Sequence, residues 1–168
     1  MTSVEDAKKL IVKTAIRLNP VQLGITKSLN YVLAEDVSSP IHYPPFDQSA
    51  MDGFAILHSD LLEQKEIDII GEAPAGNPFK EKIAAGQTVR IFTGGEIPAG
   101  ADTVIIQERV SIENSKIISD GTPLAEGANI RRKGSQIKLG ELALKQGTVL
   151  NPGAIGFLTG LGVEVVTV

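Results

Sequence analysis

The stretch from residue 66 to residue 119 consists of short runs rich in Ile and Val, each bounded by Gly, Pro or Asn. Such runs are typical of β-strands, because β-branched side chains suit a pleated backbone and the bounding residues suit turns. The candidate strands are residues 67–71, 88–92, 103–107, 109–112 and 116–119, with a hairpin turn at 113–115. Five strands at this spacing predict a small barrel or sandwich.

Helical patterns are found near the two ends of the chain. Residues 3–18 place apolar side chains at helical spacing, and Ser3 followed by Asp6 resembles a capping box. Asn151, which is followed by a proline, predicts the start of another helix, and residues 163–168 predict a final strand. We therefore expect a mostly β protein with a few helices, of the α+β class.

Composition argues against several classes of function. The net charge is −4 without a long basic run, so we expect no binding to nucleic acid. The absence of cysteine excludes disulfides, thiolate metal sites and cysteine nucleophiles. No apolar run approaches the roughly 18 residues of a membrane span, and the N-terminus lacks a signal-peptide pattern. The expectation is a cytoplasmic protein without membrane contact.

Residues 44–56 form a polar bend that begins with two prolines and ends in an apolar segment. Two prolines restrict the backbone before it, Asp47, Ser49 and Asp52 lie within it, and an apolar strand follows Gly53. One interpretation is a rigid loop that presents carboxylates for binding or catalysis. The other is a strand connection whose Asp and Ser side chains only stabilise turns. Spacing alone leaves both interpretations open.

Two further polar stretches have the same ambiguity. Thr93, followed by Gly94 and Gly95, could form a small oxyanion nest or an ordinary exit from a strand. The basic cluster at residues 129–134 could bind phosphate through Arg or form a solvated loop. The G-x-x-x-x-G outlines at residues 71–76 and 95–100 lack the Lys-Ser or Lys-Thr of a phosphate loop, which disfavours a nucleotide-binding enzyme.

Three of these stretches match motifs of one family. Residues 44–55, PPFDQSAMDGFA, are similar to P-x-F-D-x-S-A-M-D-G-Y-A. Residues 90–108, RIFTGGEIPAGADTVIIQE, are similar to R-I-x-T-G-x-x-x-P-x-G-A-D-x-V-x-x-x-E, and residues 129–137, NIRRKGSQI, to N-x-R-x-x-G-x-D-I. By these motifs, in this order, the chain resembles the molybdopterin molybdenumtransferases, the MoeA family, which includes the E domain of gephyrin.

The resemblance implies an enzyme of molybdenum cofactor biosynthesis. Members insert molybdate into adenylated molybdopterin and release AMP, with the assistance of Mg²⁺. By position in the motifs, Asp52 and Thr93 would be catalytic, and Asp52 would also bind the metal. Residues in the same motifs are implied to bind substrate: Asp47, Ser49, Gly94 and Arg131.

The resemblance also implies domains and partners. Residues 46–128 would form a small β-barrel-like domain, and residues 21–45 and 129–168 a second, extended α/β domain. The helix within residues 1–20 would pack on a pterin-binding domain that follows Val168. Members form homodimers whose active site lies between the β domain of one subunit and the pterin-binding domain of the other, so the fragment alone is expected to be inactive.

Two residues depart from the family pattern, and one of them, Gln136, favours an alternative together with the end of the given sequence at Val168. Gln136 stands where the family usually has Asp, and Phe54 where Tyr is common. A neutral amide at position 136 cannot hold Mg²⁺ or orient a cation as a carboxylate does. The alternative is a non-catalytic module for dimerisation or scaffolding.

Overall fold

A computed structural model describes residues 2–16, 18–63 and 66–168. Within these ranges the chain has three α-helices, α1 (Val4–Thr14), α2 (His58–Leu62) and α3 (Pro152–Gly160), and two single 3₁₀ turns, Ile25–Lys27 and Gln107–Arg109. The strands are β1 (Gln22–Gly24), β2 (Val37–Ser38), β3 (Gln48–Ser49), β4 (Gly53–Ile56), β5 (Ile67–Ala73), β6 (Gln87–Ile91), β7 (Thr103–Ile106), β8 (Val110–Glu113), β9 (Lys116–Ser119), β10 (Ile130–Arg131), β11 (Leu142–Leu144) and β12 (Val165–Thr167). The expectation of a mostly β fold with a few helices is confirmed.

The largest sheet has six strands in the order β7-β4-β6-β5-β9-β8. Strands β5 and β6 run parallel, and the other neighbours run antiparallel. The predicted barrel-like arrangement takes the form of a curled half-barrel, a sheet that twists without closing on itself. Three further pairs of short strands are β1 with β12, β3 with β10 and β2 with β11.

The predicted strands between residues 66 and 119 lie within one or two residues of the observed ones. The hairpin turn is also in place, with Asn114 and Ser115 at φ angles of 49° and 62° between β8 and β9. Positive φ at both central residues is the requirement of the tight hairpin turn whose twist matches that of the flanking strands.

Contacts between Cα atoms divide the chain into two compact units, residues 1–37 with 142–168, and residues 38–141. The second unit contains the whole of the predicted β domain, residues 46–128. The assignment of domains at 1–20, at 21–45 with 129–168, and at 46–128 stays a prediction.

The unit of residues 38–141 buries both faces of β4. Phe54 and Ile56 pack with Ile67, Ile105 and Ile117, whereas Ala55 belongs to a second cluster. The members of that second cluster are Ala55, Ala73, Ile83, Val89, Ile91 and Val104. Because successive side chains of a strand point to opposite faces, a shift by one residue would exchange the large Phe54 and Ile56 with the small Ala55 between two packed clusters, which fixes the register of β4.

The other unit, residues 1–37 with 142–168, has its own smaller core of Ile25, Leu33, Leu150, Leu158 and Val166. Helix α3 begins as predicted, because the side chain of Asn151 accepts a hydrogen bond of 2.9 Å from the backbone N–H of Ala154.

Helix α1 differs in length from its prediction. The Ser3 cap is confirmed, since its hydroxyl oxygen accepts from the backbone N–H of Asp6 at 3.1 Å. The helix ends at Thr14 instead of residue 18, and Ala15 is already extended; part of the predicted span, Arg17, lies outside the described residues. The Thr14 hydroxyl donates to the Leu10 carbonyl at 2.8 Å, which supplies one carbonyl of the last turn with a partner. No residue of α1 is buried.

The apolar stripe of α1 is therefore exposed, and its packing on a pterin-binding domain stays a prediction. Val4, Leu10 and Ile11 are 66%, 59% and 67% exposed. No helix within the described ranges combines the length and the apolar character that a membrane crossing requires.

Candidate active site

Asp52 and Thr93 are brought together by the pairing of two strands. Asp52 immediately precedes β4, and Thr93 follows β6 after one residue. Since β4 and β6 are antiparallel neighbours in which Gly53 pairs with Ile91, the start of one strand lies beside the end of the other. The backbone N–H and the hydroxyl of Thr93 both donate to Asp52 Oδ1, at 2.8 and 2.9 Å.

The Asp52 carboxylate is exposed and anionic. The hydrogen bond from the backbone N–H of Thr93 lowers the pKa of Asp52 most, and the Thr93 hydroxyl and the positive charge of Arg90 lower this pKa further. Among the described residues, Asp52 Oδ2 has no hydrogen-bond partner. One oxygen therefore holds the side chain in place, and the other is free to bind a ligand.

Arg90 is a component of this site that the motif analysis did not single out. Its guanidinium carbon lies 4.9 Å from the ring centroid of Phe54 and 5.2 Å from that of Phe92. The guanidinium also donates to the side-chain oxygen of Gln107, whose backbone N–H donates to the Asp52 carbonyl at 3.1 Å. The available signal in the sequence was an arginine two residues before Phe92 at the start of the second motif, whereas the contact with Phe54 depends on the pairing of β4 with β6.

Of the two interpretations of residues 93–95, the structure excludes the oxyanion nest. The backbone N–H of Gly94 donates to the Ser49 carbonyl at 2.9 Å, and that of Gly95 to the Phe92 carbonyl at 2.8 Å. Thr93 itself donates its N–H to Asp52. All three amides are occupied by the fold, so the ordinary strand exit is the correct interpretation of their hydrogen bonding.

Ser49 is completely buried in the bend. Its hydroxyl donates to the Met51 carbonyl at 2.5 Å, and its backbone N–H donates to the Gly95 carbonyl at 2.9 Å. Ser49 therefore stabilises the bend and joins it to the turn after Thr93. A contact of Ser49 or Gly94 with substrate stays a prediction.

Asp47 uses both carboxylate oxygens within the protein. Oδ2 accepts from Arg132 Nη1 at 2.7 Å, and Oδ1 accepts from the backbone N–H of Lys133 at 2.7 Å. Partial burial is the largest influence on the pKa of Asp47 and raises it. The hydrogen bond from Lys133 and the charge and hydrogen bond of Arg132 together outweigh burial, so that the net pKa is lowered.

The basic cluster is thus divided by the fold. Arg132 is paired with Asp47, whereas Arg131 is exposed, and no hydrogen bond or ion pair of its guanidinium occurs within the described ranges. Gln136 is also exposed, and its backbone N–H donates to the Tyr43 carbonyl at 3.0 Å. Arg131 is consequently the member of the cluster whose guanidinium is available to an anionic ligand.

The described residues hold no group of three or more His, Asp or Glu side chains suited to a metal ion. At the candidate site, Asp52 offers one free carboxylate oxygen, Oδ2, and the Thr93 hydroxyl oxygen lies 2.9 Å from the other oxygen, Oδ1. This donor set does not form a closed cage, but it fits Mg²⁺, which keeps several waters and is commonly held by one or two carboxylates together with substrate phosphates.

The profile of the family described as "MoeA N-terminal region (domain I and II)" matches residues 2–162. A protein of Haemophilus influenzae named molybdopterin molybdenumtransferase is 40% identical over 141 residues, which are 84% of this chain and 35% of that protein. A protein of the same name from Staphylococcus aureus is 37% identical over 167 residues, 95% of this chain and 39% of that protein.

Among solved structures, the molybdopterin biosynthesis moeA protein of Pyrococcus horikoshii OT3 superposes with a TM-score of 0.89 at 36% identity. The match covers 98% of this chain and 45% of that one. The chain thus spans less than half the length of these relatives.

Proposed function

The chain belongs to the family of the MoeA N-terminal region, and from this premise we propose that it is the N-terminal part of a molybdopterin molybdenumtransferase. The reaction would insert molybdate into adenylated molybdopterin and release AMP in the synthesis of molybdenum cofactor. The names of the relatives support this activity for the whole protein. We expect these 168 residues alone to be inactive, since they correspond to 35% and 39% of the two relatives.

The observation that carries the proposal is the Asp52–Thr93 pair. Asp52 is held through one oxygen by two hydrogen bonds from Thr93, and within the described residues its other oxygen is exposed and has no partner. A preoriented charge of this kind costs no reorganisation when a ligand binds, which is how enzymes obtain electrostatic stabilisation.

Mg²⁺, when bound, would neutralise negative charge on the phosphates of the adenylated substrate. Asp52 would hold the ion through its free oxygen, and the Thr93 hydroxyl oxygen, 2.9 Å from Asp52 Oδ1, would be a second candidate ligand. The backbone N–H of Thr93, followed by the Thr93 hydroxyl and the charge of Arg90, lowers the pKa of Asp52, so the carboxylate needs no deprotonation before it binds a cation. Arg131 would contact the anionic groups of adenylated molybdopterin or molybdate through its unpaired guanidinium.

The remaining parts of the proposal concern partners and location. We propose a homodimer in the cytoplasm, with the pterin-binding domain of the same protein completing each active site. The exposed apolar stripe of α1 supports packing of this helix on a further protein surface, because exposed apolar side chains in a row mark interaction sites. The same stripe is what favours the second candidate, a non-catalytic dimerisation or scaffolding module.

A chimera tests the proposal directly. This chain replaces the matching 167 residues of the Staphylococcus aureus relative, and AMP release is measured with adenylated molybdopterin, molybdate and Mg²⁺. The chimera should be active, and Asp52→Asn should lower its turnover on the order of 100-fold, since the isosteric amide keeps the bond to Thr93 but loses the charge.

Thermal unfolding of the same variants provides the control. Asp52 is exposed, so Asp52→Asn should leave the unfolding temperature close to that of the parent. A folded chimera that dimerises but releases no AMP would favour the scaffolding module. Equal losses of activity and stability would return Asp52 to a structural role.

A further inference from the structure

The bend and the basic cluster are joined by main-chain pairing. Strand β3 pairs with β10, so that Gln48 lies opposite Arg131 and Ser49 opposite Ile130. The backbone N–H of Ala50 donates to the Asn129 carbonyl at 2.8 Å, on the same side. This short ladder ends at Arg131, and main-chain pairing between the two strands does not extend to the next two residues.

Asp47 extends the connection where the ladder ends. It precedes β3, and its carboxylate binds both Arg132 and the backbone N–H of Lys133, each at 2.7 Å. On its other side, the Asp47 carbonyl accepts from the backbone N–H of Ile97 at 2.9 Å. Asp47 therefore connects the turn after Thr93, the bend and the basic segment, residues 131–133. Its two carboxylate bonds, to Arg132 and to the N–H of Lys133, form the tether of this segment.

The position of Arg131 depends on this connection. Its backbone pairs with Gln48 and precedes the bound Arg132 and Lys133, while its guanidinium has no partner within the described ranges. A long side chain loses less entropy on binding an anion when its backbone is already fixed. The segment is anchored again at Gly134, whose backbone N–H donates to the Pro44 carbonyl at 2.9 Å. The two bonds from the Asp47 carboxylate therefore hold Arg132 and Lys133 between this anchor and the β3–β10 ladder.

We propose that Asp47 is a positioning residue that fixes residues 131–133 and so presents Arg131 to the anionic substrate. Asp47 then acts through the segment and does not itself contact substrate, since both of its oxygens are occupied. The identity of the substrate in this inference rests on the proposed function. The tether rests only on the two hydrogen bonds of the Asp47 carboxylate.

The tether is tested without any activity measurement. Hydrogen exchange of the Lys133 amide is followed in the 168-residue chain. Asp47→Ala removes the acceptor, and exchange of this amide should become about tenfold faster. Asp47→Asn keeps an oxygen acceptor and loses only an exposed ion pair, so the increase should be no more than about fivefold.

Asp120→Ala is the matched control. Asp120 accepts from the backbone N–H of Thr122 at 2.8 Å and pairs with Arg109, the same kind of tether at another place in the same unit. Its removal should leave exchange at Lys133 unchanged. Equal exchange rates at Lys133 in the parent chain and in Asp47→Ala would overturn the proposal.

The consequence for substrate is tested in the active chimera. Asp47→Asn should raise the KM for adenylated molybdopterin about fivefold, with a smaller change in kcat. In an Arg131→Gln background the same substitution should have little further effect, because the residue that it positions is already lost. Independent, multiplying effects of the two substitutions, or a loss confined to kcat, would contradict the inference.

The two proposals fail differently. An inactive parent chimera counts against the proposed function, and exchange at Lys133 then decides whether Asp47 positions the segment. Unchanged exchange in Asp47→Ala alongside an active chimera counts against the tether alone.

Discussion

Gly53 is the position at which one added methyl group should damage the fold most. A Cβ atom built there would lie 2.1 Å from the Ile105 carbonyl oxygen and 3.0 Å from the Ile105 carbonyl carbon. Both atoms belong to the backbone of β7, which pairs with β4 and has no freedom to turn away as a side chain would. Gly53→Ala therefore forces the two strands apart.

The size of the effect follows from this geometry. An ordinary contact begins near 3.4 Å, so β7 has to move by about 1 Å or more at this point. Overpacking of this kind costs about 1–3 kcal/mol. Weakening of the adjacent ladder, where Gly53 pairs with Ile106, adds about 1 kcal/mol for a hydrogen bond. We expect the free energy of unfolding to fall by about 2–4 kcal/mol.

Urea unfolding followed by far-ultraviolet circular dichroism measures the change. With a slope of about 2 kcal/mol per molar urea, the midpoint should fall by about 1–2 M. Gly71→Ala is the control in the same unit, because the three atoms nearest to its added Cβ all belong to the ring of Phe79, the closest at 2.6 Å. A side-chain ring can rotate aside, so this variant should lose about 1 kcal/mol. A Gly53→Ala midpoint equal to or above that of Gly71→Ala would refute the reasoning.

Three further outcomes are expected. Thr93→Val removes the hydroxyl bond to Asp52 but keeps the stronger backbone bond, so AMP release by the chimera should fall about tenfold, less than for Asp52→Asn; a larger loss would assign the hydroxyl a role of its own. The fold lowers the pKa values of Asp47, Asp52 and Asp120, so the stabilisation that they contribute is present above the unfolded pKa of about 3.9 and is lost as pH falls through the folded pKa values. The contribution of these groups to the unfolding temperature should therefore be constant from pH 7 to 5, and the unfolding temperature should fall below about pH 4. The fall should be less steep in Asp47→Asn, which lacks one of the three carboxylates. Asn151→Ala should lower the stability of α3 by about 1 kcal/mol, measured by thermal unfolding, and no change would mean that the cap contributes nothing.

Local features were predictable because their causes lie in neighbouring residues. The hairpin at Asn114 and Ser115, the caps at Ser3 and Asn151, and the positions of the Ile-rich and Val-rich strands all follow from turn chemistry, capping and side-chain shape. Helix α1 was predicted too long because periodicity continues beyond Thr14, where the backbone has already become extended.

The components of the candidate site were predictable only in part. The motifs pointed to Asp52 and Thr93, and the structure brings the two side chains within 2.9 Å of each other. The glycine pair alone left open whether the amides of Gly94 and Gly95 are free, and the carbonyls of Ser49 and Phe92 accept from them in the structure. Which of Arg131 and Arg132 is paired was likewise invisible, since both are adjacent cations in one cluster.

The amino-acid order by itself determined the strands, turns, caps and the polar bend, because each depends on residues within a few positions. Tertiary structure decided that Asp52 meets Thr93, 41 positions away, and that Asp47 meets Arg132, 85 positions away. Those meetings depend on the registers of β4 with β6 and of β3 with β10. For β4, burial of both faces penalises a shift by one residue, and this constraint comes from packing across the whole unit.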